Sequence, residues 1–311
     1  MKTSPIRLIK YLSFYLLLLF PFCSLGQTAQ EYFDSGFKKS GNKDYSGAIQ
    51  DFNKAIEINP NDTNAYLFRG KAKGNLEDYQ GAIQDFNKAI DLNPNEPKAY
   101  YDLGVAKSNL KDYQGAIQDC NKAIEINPKY SEAYGSRGYA KGSLKDYQGA
   151  IQDYNKTIEL NPNDTNAYLQ RAYAKGNLKD YQGAIQDCNK AIEINPKYSK
   201  AYYVRGVVKE SLKDYKGAIQ DCNKVIEINP NEPKAYYVRG YTKGSLEDYR
   251  GAVQDYNTAI EINPKYSEAY FYRGITKSIL GNKEGACLDW SKAGELGDER
   301  AYEKIKNYCN N

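Results

Sequence analysis

The sequence predicts an all-α protein built from one pair of helices that is copied along the chain. The dipeptide Asn-Pro returns every 34 residues, with its prolines at Pro60, Pro94, Pro128, Pro162, Pro196, Pro230 and Pro264. A fixed period of this length indicates one supersecondary unit in tandem copies. Because such copies bury their apolar surface against their neighbours, the 311 residues are expected to form one elongated repeat domain rather than two compact ones.

Each repeat contains two helical segments, illustrated here by the second copy. Residues recur at helical spacing in the first segment at Tyr66, Gly70, Lys73 and Leu76, and in the second at Ala82, Phe86, Ala89 and Ile90. Asp78 stands where a carboxylate can accept the free N–H groups at the start of the second helix. The Asn93-Pro94 step ends that helix, because proline disfavours helical backbone in the residue before it.

Two columns of small residues mark where the two helices of a repeat approach each other closely. The first helix contributes Gly36, Gly70, Gly104, Gly138, Ala172, Gly206, Gly240 and Gly274. The second helix contributes Ala48, Ala82, Ala116, Ala150, Ala184, Ala218, Ala252 and Ala286. Each of these two positions recurs eight times, so the sequence predicts eight repeats between about Ala29 and Arg300.

The last repeat departs from the pattern, because it keeps Ala286 but has no Asn-Pro step. Residues Asp298 to Tyr308 predict one further helix. Terminal copies of an array must cover an otherwise bare apolar face, so we interpret this region as a cap in which Trp290 is a packing residue.

These motifs resemble the tetratricopeptide repeat family. The resemblance rests on Tyr-x2-Arg-Gly-x2-Lys, then Ala-x3-Phe/Tyr/Cys, then Pro, on the 34-residue period, and it covers nearly all of the chain after residue 26. It implies a right-handed α-solenoid, or superhelix, of stacked antiparallel helix pairs over residues 27–300, with a C-terminal capping helix and tail over residues 301–311. It also implies a concave groove lined by the first helix of each repeat.

Charged columns distinguish this chain from its family. Relatives have an apolar residue just before the glycine, where most repeats here have Arg, as in Arg69. They often have an aromatic residue after the glycine, where the repeats here have Lys, as in Lys73. The second helix of every repeat has an Asp such as Asp85. Half-buried charges need partners, which favours a ladder of ion pairs along the stack. The alternative is a row of cations for an acidic ligand.

The candidate binding residues are the aromatic and lysine side chains of the first helices that vary between repeats. They are Tyr101, Tyr139, Tyr173, Tyr203, Tyr237, Tyr241, Phe271, Lys98, Lys200 and Lys234. Tyrosine suits a recognition surface because it offers a large rigid contact area and a hydroxyl group. Drift on a solvated face would produce the same variation. The lysine and asparagine set with which some relatives bind chaperone tails is not reproduced.

The N-terminus predicts export. Residues 1–26 have a basic start, an apolar run from Tyr11 to Phe20 and then small residues, which is the layout of a secretory signal peptide. We expect cleavage near Gly26 and a periplasmic or extracellular mature protein. The alternative is a membrane-anchored protein with an uncleaved N-terminus. Of the cysteines, Cys120, Cys188 and Cys222 are predicted to be small buried residues, and Cys287 with Cys309 is the pair to test for a disulfide.

Composition argues against catalysis. The chain contains no histidine, which removes the commonest general base and metal ligand. Its carboxylates fall in repeated columns, and it has no glycine-rich phosphate loop. Without residues 1–26 the chain is nearly neutral, which argues against nucleic acid. We therefore expect no enzyme activity, cofactor or small-molecule substrate, and membrane contact only through the signal peptide.

Two functions remain open. The first is an interaction scaffold that binds a peptide or helix of a protein partner in an aromatic groove. The second is a structural spacer or assembly scaffold of a cell envelope, in which near-identical repeats supply only length and curvature. An exposed aromatic patch would favour binding.

Overall fold

The computed structural model describes residues 27–309, which form seventeen α-helices and a final π-helical turn, with no β-strand in this range. The predicted signal peptide lies outside these residues. The described chain falls into two compact units that divide between Asp112 and Tyr113, where one elongated domain was expected. The division lies inside repeat 3, whose sequence gives no sign of it.

The first unit contains five helices. They are α1 (Ala29–Gly41), α2 (Tyr45–Ile58), α3 (Thr63–Asn75), α4 (Tyr79–Leu92) and α5 (Pro97–Asn109). Consecutive helices pack against each other, and the buried core lies between them, with Phe52 and Phe86 among its largest side chains.

The second unit contains twelve helices in the same arrangement. They are α6 (Tyr113–Ile126), α7 (Ser131–Ser143), α8 (Tyr147–Leu160), α9 (Thr165–Asn177), α10 (Tyr181–Ile194), α11 (Ser199–Ser211), α12 (Tyr215–Ile228), α13 (Pro233–Ser245), α14 (Tyr249–Ile262), α15 (Ser267–Ile279), α16 (Lys283–Glu295) and α17 (Arg300–Lys304). Residues Ile305–Cys309 continue α17 as the π-helical turn. The prediction of an all-α fold of packed helix pairs is confirmed.

The second helix begins at a side-chain cap in at least seven of the eight repeats. The Asp78 carboxylate accepts a hydrogen bond from the backbone N–H of Gly81 over 2.9 Å, as predicted. The same bond recurs at Asp44, Asp146, Asp180, Asp214, Asp248 and Asn282. A Cβ atom on Gly81 would lie 2.1 Å from Asp78 Oδ2, so this cap requires glycine three residues later.

The two helices of a repeat approach closely at the small residue of the first helix. A Cβ atom on Gly70 would lie 2.6 Å from Cε1 of the buried Phe86 ring. Where the glycine column has Ala172 instead, the facing residue is Cys188. A larger residue in the first helix is therefore matched by a smaller facing residue in the second helix.

The cysteines in this column behave as small apolar side chains, as predicted. Cys120, Cys188 and Cys222 are buried free thiols. Burial raises the pKa of each thiol to about 12, so these thiols stay protonated and unreactive.

The C-terminal helix covers the last repeat. Trp290 is buried, and its indole Nε1 donates a hydrogen bond to the backbone oxygen of Phe271 over 3.2 Å. Tyr308 packs edge-on against the Trp290 ring at 5.5 Å. A disulfide joins Cys287 to Cys309, the pair that the sequence singled out. Trp290 is thus a packing residue, as predicted.

The size compensation predicts a contrast between two identical substitutions. Gly70→Ala should destabilise the fold by about 1–3 kcal/mol, because the buried Phe86 ring cannot move away from the new methyl group. Gly206→Ala should change stability by less than about 1 kcal/mol, because the nearest atom is Asp221 Cβ at 3.3 Å and alanine favours the helix. Denaturant unfolding of both variants measures the difference, and equal losses would contradict the explanation.

Candidate partner-binding surface

The charged columns form the predicted ladder of ion pairs. In repeat 5 the Asp187 carboxylate is 4% exposed and accepts a hydrogen bond from Arg171 Nε over 2.9 Å. Lys175 Nζ lies 2.8 Å from the same carboxylate. Equivalent Arg–Asp–Lys triads form around Asp85, Asp153, Asp221, Asp255 and Asp289. These cations are therefore occupied by aspartates and are not a free row for an acidic ligand.

The ladder also joins one repeat to the next, which the sequence analysis missed. Arg171 Nη1 donates to the side-chain oxygen of Asn155 over 2.7 Å, and Asn155 belongs to the preceding repeat. The Arg171 guanidinium lies 5.4 Å from the centre of the Tyr168 ring. The same asparagine bond is made by Arg69, Arg137, Arg205, Arg239 and Arg273.

The first repeat keeps the ladder without an arginine. Ser35 Oγ donates to Asp51 over 2.6 Å, and Lys39 Nζ lies 2.7 Å from the same carboxylate. Burial alone would raise the pKa of Asp51, but hydrogen bonds from Lys39 and Ser35 hold it below its usual value. The aspartate carboxylate is therefore the member of the ladder that is kept in the repeat without an arginine.

Three cavities lie along the first helices of the second unit. The first cavity, about 300 Å³, lies between repeats 4 and 5 and is lined by Tyr139 and Tyr173. The second, about 390 Å³, is lined by Tyr173 and Tyr203. The third, about 260 Å³, is lined by Tyr203, Lys200 and Lys234. Each cavity shares a lining tyrosine with the next, and we call the residues that line the three cavities the tyrosine row.

Glycines give the tyrosine row its depth. Gly142 lines the first cavity and Gly176 lines the second. A Cβ atom on either glycine would make only an ordinary van der Waals contact, the nearest at 3.8 Å, so the glycines are not required by close packing here. The sequence predicted room at this edge from the same column of small residues.

The predicted residues differ widely in exposure. Tyr173 is 59% exposed and Tyr139 is 49% exposed, which is high for large rings on packed helices. Lys98, Lys200 and Lys234 are exposed, and Tyr101, Tyr203, Tyr237 and Tyr241 are half-buried. Tyr101 and Lys98 belong to the first unit, and Tyr237 and Tyr241 line none of the three cavities, so these four residues are not part of the tyrosine row.

The choice of Phe271 as a binding residue is wrong. Its side chain is 5% exposed and packs in the C-terminal core with Trp290 and Ala301. The Arg300 guanidinium lies over the Phe271 ring at 4.3 Å and closes it off from solvent. The capping helix therefore occupies the surface that this phenylalanine was expected to offer.

Two aromatic residues that the repeat pattern did not single out, Tyr266 and Tyr272, lie beside the predicted ones. Tyr237 contacts Tyr266 at 5.2 Å and Tyr272 at 5.8 Å between ring centres, and Tyr241 contacts Tyr272 at 5.2 Å. Burial raises the pKa of Tyr237 above its usual value, so its hydroxyl stays neutral. Tyr266 escaped notice because it lies in the turn between repeats.

Within residues 27–309 the structure contains no group of three or more His, Cys, Asp or Glu side chains that could bind a metal ion. In that range, none of the helices has the length and apolar character needed to span a bilayer.

The fold and its repeating contacts are those of a helical-repeat interaction scaffold. A tetratricopeptide repeat model matches residues 97–130, 131–164, 165–198, 199–232 and 233–266, which is more than half of the chain. Further models of this repeat match residues 39–62, 75–111 and 255–287. The chain belongs to the tetratricopeptide repeat family, whose members bind protein or peptide partners.

Solved structures of three other proteins are similar to parts of this chain. A tetratricopeptide repeat protein from Parabacteroides merdae ATCC 43184 is similar with a TM-score of 0.63 at 22% identity, over 78% of this chain and 97% of that one. YrrB, described as a TPR protein with an unusual peptide-binding site, has a TM-score of 0.50 at 24% identity, over 59% and 95%. MamA has a TM-score of 0.49 at 31% identity, over 56% and 96%. The chain matches no curated protein.

The ladder predicts that removing its aspartate destabilises the fold more than removing its arginine does. Asp187→Leu should destabilise the fold by about 3 kcal/mol, because it leaves both Arg171 and Lys175 without their half-buried partner. Arg171→Leu should cost about 1–2 kcal/mol, because Lys175 still pairs with Asp187.

Denaturant unfolding checks this order, with Lys190→Ala as a control. Lys190 pairs with Glu193 on the surface and should leave stability unchanged. An Arg171→Leu loss as large as the Asp187→Leu loss would contradict the role given to the carboxylate.

Proposed function

We propose that this protein is an exported, non-enzymatic interaction module that binds a segment of a protein partner along the tyrosine row. The observation that carries the proposal is a set of three cavities that share Tyr173 and Tyr203 in their linings, beside rings that are half exposed. A surface that supplied only length and curvature would have no need for such rings. The envelope spacer is therefore only the second candidate function.

The spacing of the cavities suits a regular partner segment. Neighbouring packed helices lie about 8–10 Å apart, so successive cavities are separated by about that distance. An extended segment rises about 3.1–3.4 Å per residue and would place every third residue in a cavity. A helix would place every seventh residue there. The proposed partner segment thus carries large apolar or aromatic side chains at one of these two intervals.

Export is part of the proposal. The basic start and short apolar run of residues 1–26 support a cleaved signal peptide and a periplasmic or extracellular location. The absence of histidine from the sequence supports a function without catalysis.

Peptide display tests the tyrosine row directly. Peptides selected on the mature chain should lose affinity on the order of 30-fold when Tyr173→Ala is introduced, because a central aromatic contact is worth about 2 kcal/mol. Tyr139→Ala should act in the same direction. Titration calorimetry measures each dissociation constant.

Tyr302→Ala is the matched control. Tyr302 is 60% exposed, close to the value for Tyr173, but it lies in the capping helix outside the tyrosine row. Its removal should leave the affinity unchanged. Equal effects of Tyr302→Ala and Tyr173→Ala, or no effect of either tyrosine of the row, would contradict the proposed function.

A further inference from the structure

One cavity of the first unit differs from the tyrosine row because it contains an ion pair. This cavity, about 350 Å³, lies between the first helices of repeats 2 and 3 and is lined by Lys71, Asp102, Tyr79 and Phe86, among others. Lys71 Nζ lies 3.0 Å from Asp102 Oδ2 across the two helices. We call it the Asp102 cavity.

At the equivalent positions of several other repeats this joint between helices is apolar or aromatic. Phe37 meets Phe68 at the same two positions of repeats 1 and 2, with ring centres 5.2 Å apart. Tyr241 meets Tyr272 in the same way at 5.2 Å, and Val207 and Val238 occupy these positions in repeats 6 and 7. The fold therefore has an apolar way to make this contact, so the ion pair is not required by the scaffold.

The two charges are not equally buried. The Asp102 side chain is 12% exposed and that of Lys71 is 36% exposed. No donor of the described residues is aligned for a hydrogen bond to Asp102 Oδ2, despite the short distance to Lys71. The carboxylate is thus fixed inside the cavity, whereas the ammonium can swing toward solvent on its flexible chain.

Asp102 also costs the fold stability. Burial raises the pKa of its carboxyl above the usual value, and the Lys71 ammonium offsets only part of this effect. A carboxyl whose pKa is raised by folding loses its proton more readily in the unfolded chain than in the folded protein. As the pH rises above the usual pKa, the free energy of unfolding therefore falls. At neutral pH the charged Asp102 is therefore unfavourable for folding, which is typical of residues retained for binding rather than for stability.

We infer that the Asp102 cavity is a binding site for an arginine side chain of a protein partner. The guanidinium would pair with the Asp102 carboxylate through two parallel hydrogen bonds and stack on the half-buried Tyr79 ring, which also lines the cavity. Lys71 would move out to solvent and leave the buried charge neutralised by a better-matched cation. The site shares no residue with the tyrosine row and does not rest on the function proposed for it.

The geometry favours arginine over other groups. A lysine of the partner would only repeat the contact that Lys71 already makes, without the second hydrogen bond. A neutral side chain would displace Lys71 and leave Asp102 charged and unpaired, which is unfavourable in a buried position. An acidic group would be repelled by the carboxylate.

The test uses the mature full chain and the capped tripeptide Gly-Arg-Gly, with its lysine and citrulline analogues. Titration calorimetry should show saturable binding of the arginine peptide, with at least tenfold weaker binding of the other two. Asp102→Asn should weaken the arginine peptide at least tenfold and leave the unfolding midpoint at pH 7 unchanged or raised. Lys71→Met should strengthen binding, because it removes the competing cation.

A double variant separates binding from folding. Lys71→Val with Asp102→Val reproduces the Val207 and Val238 pair, and it should fold with undiminished stability but bind no arginine peptide. Equal binding of the arginine and lysine peptides, binding that survives Asp102→Asn, or no saturable binding at all would overturn the inference. A large loss of stability in Asp102→Asn would also overturn it, because the ion pair would then be a structural clasp. None of these results depends on Tyr139 or Tyr173.

Discussion

The buried carboxylate of the second helix is the interaction on which this structure depends. In six repeats an aspartate such as Asp187 receives both Arg171 and Lys175 of its own repeat, and the same arginine reaches Asn155 of the preceding one. One residue thus fixes the two helices of a repeat, and through the arginine it sets how the next repeat attaches. Unlike a surface ion pair, this network is largely shielded from solvent, so its charges must stay paired.

The ladder leaves other positions free to vary. Packing is set by the small residues, and charge pairing by Arg, Lys and Asp, so the side chains of the first helices that vary between repeats are not fixed by either. In the second unit these positions produce the tyrosine row, and in the first unit they produce the Asp102 cavity. Two surfaces with different chemistry are thereby built on one scaffold. A partner that engages both would need an apolar or aromatic segment and an arginine.

Much of this could be predicted from the sequence, because every scaffold contact is repeated. The helix pairs, the Asp78 cap and the ladder follow from columns of identical residues. The asparagine of the ladder was missed because Asn155 looks like an exposed helix residue until its arginine partner is located. Phe271 was misassigned because the last repeat is shorter than the others. The segment Asp298–Tyr302 resembles Asp62–Tyr66, the start of an earlier first helix, and a helix begins there too. This helix brings Arg300 over the Phe271 ring. Contacts made once, such as Lys71 with Asp102, leave no periodic signal.

A double-mutant cycle on Arg171 and Asn155 tests the central claim that the ladder couples neighbouring repeats. Unfolding free energies of Arg171→Ala, Asn155→Ala and the double variant give the coupling between the two side chains. A hydrogen bond from a charged donor to the exposed Asn155 side chain should give a coupling of about 0.5–1 kcal/mol. Additive losses, with a coupling near zero, would contradict the claim that the ladder joins one repeat to the next.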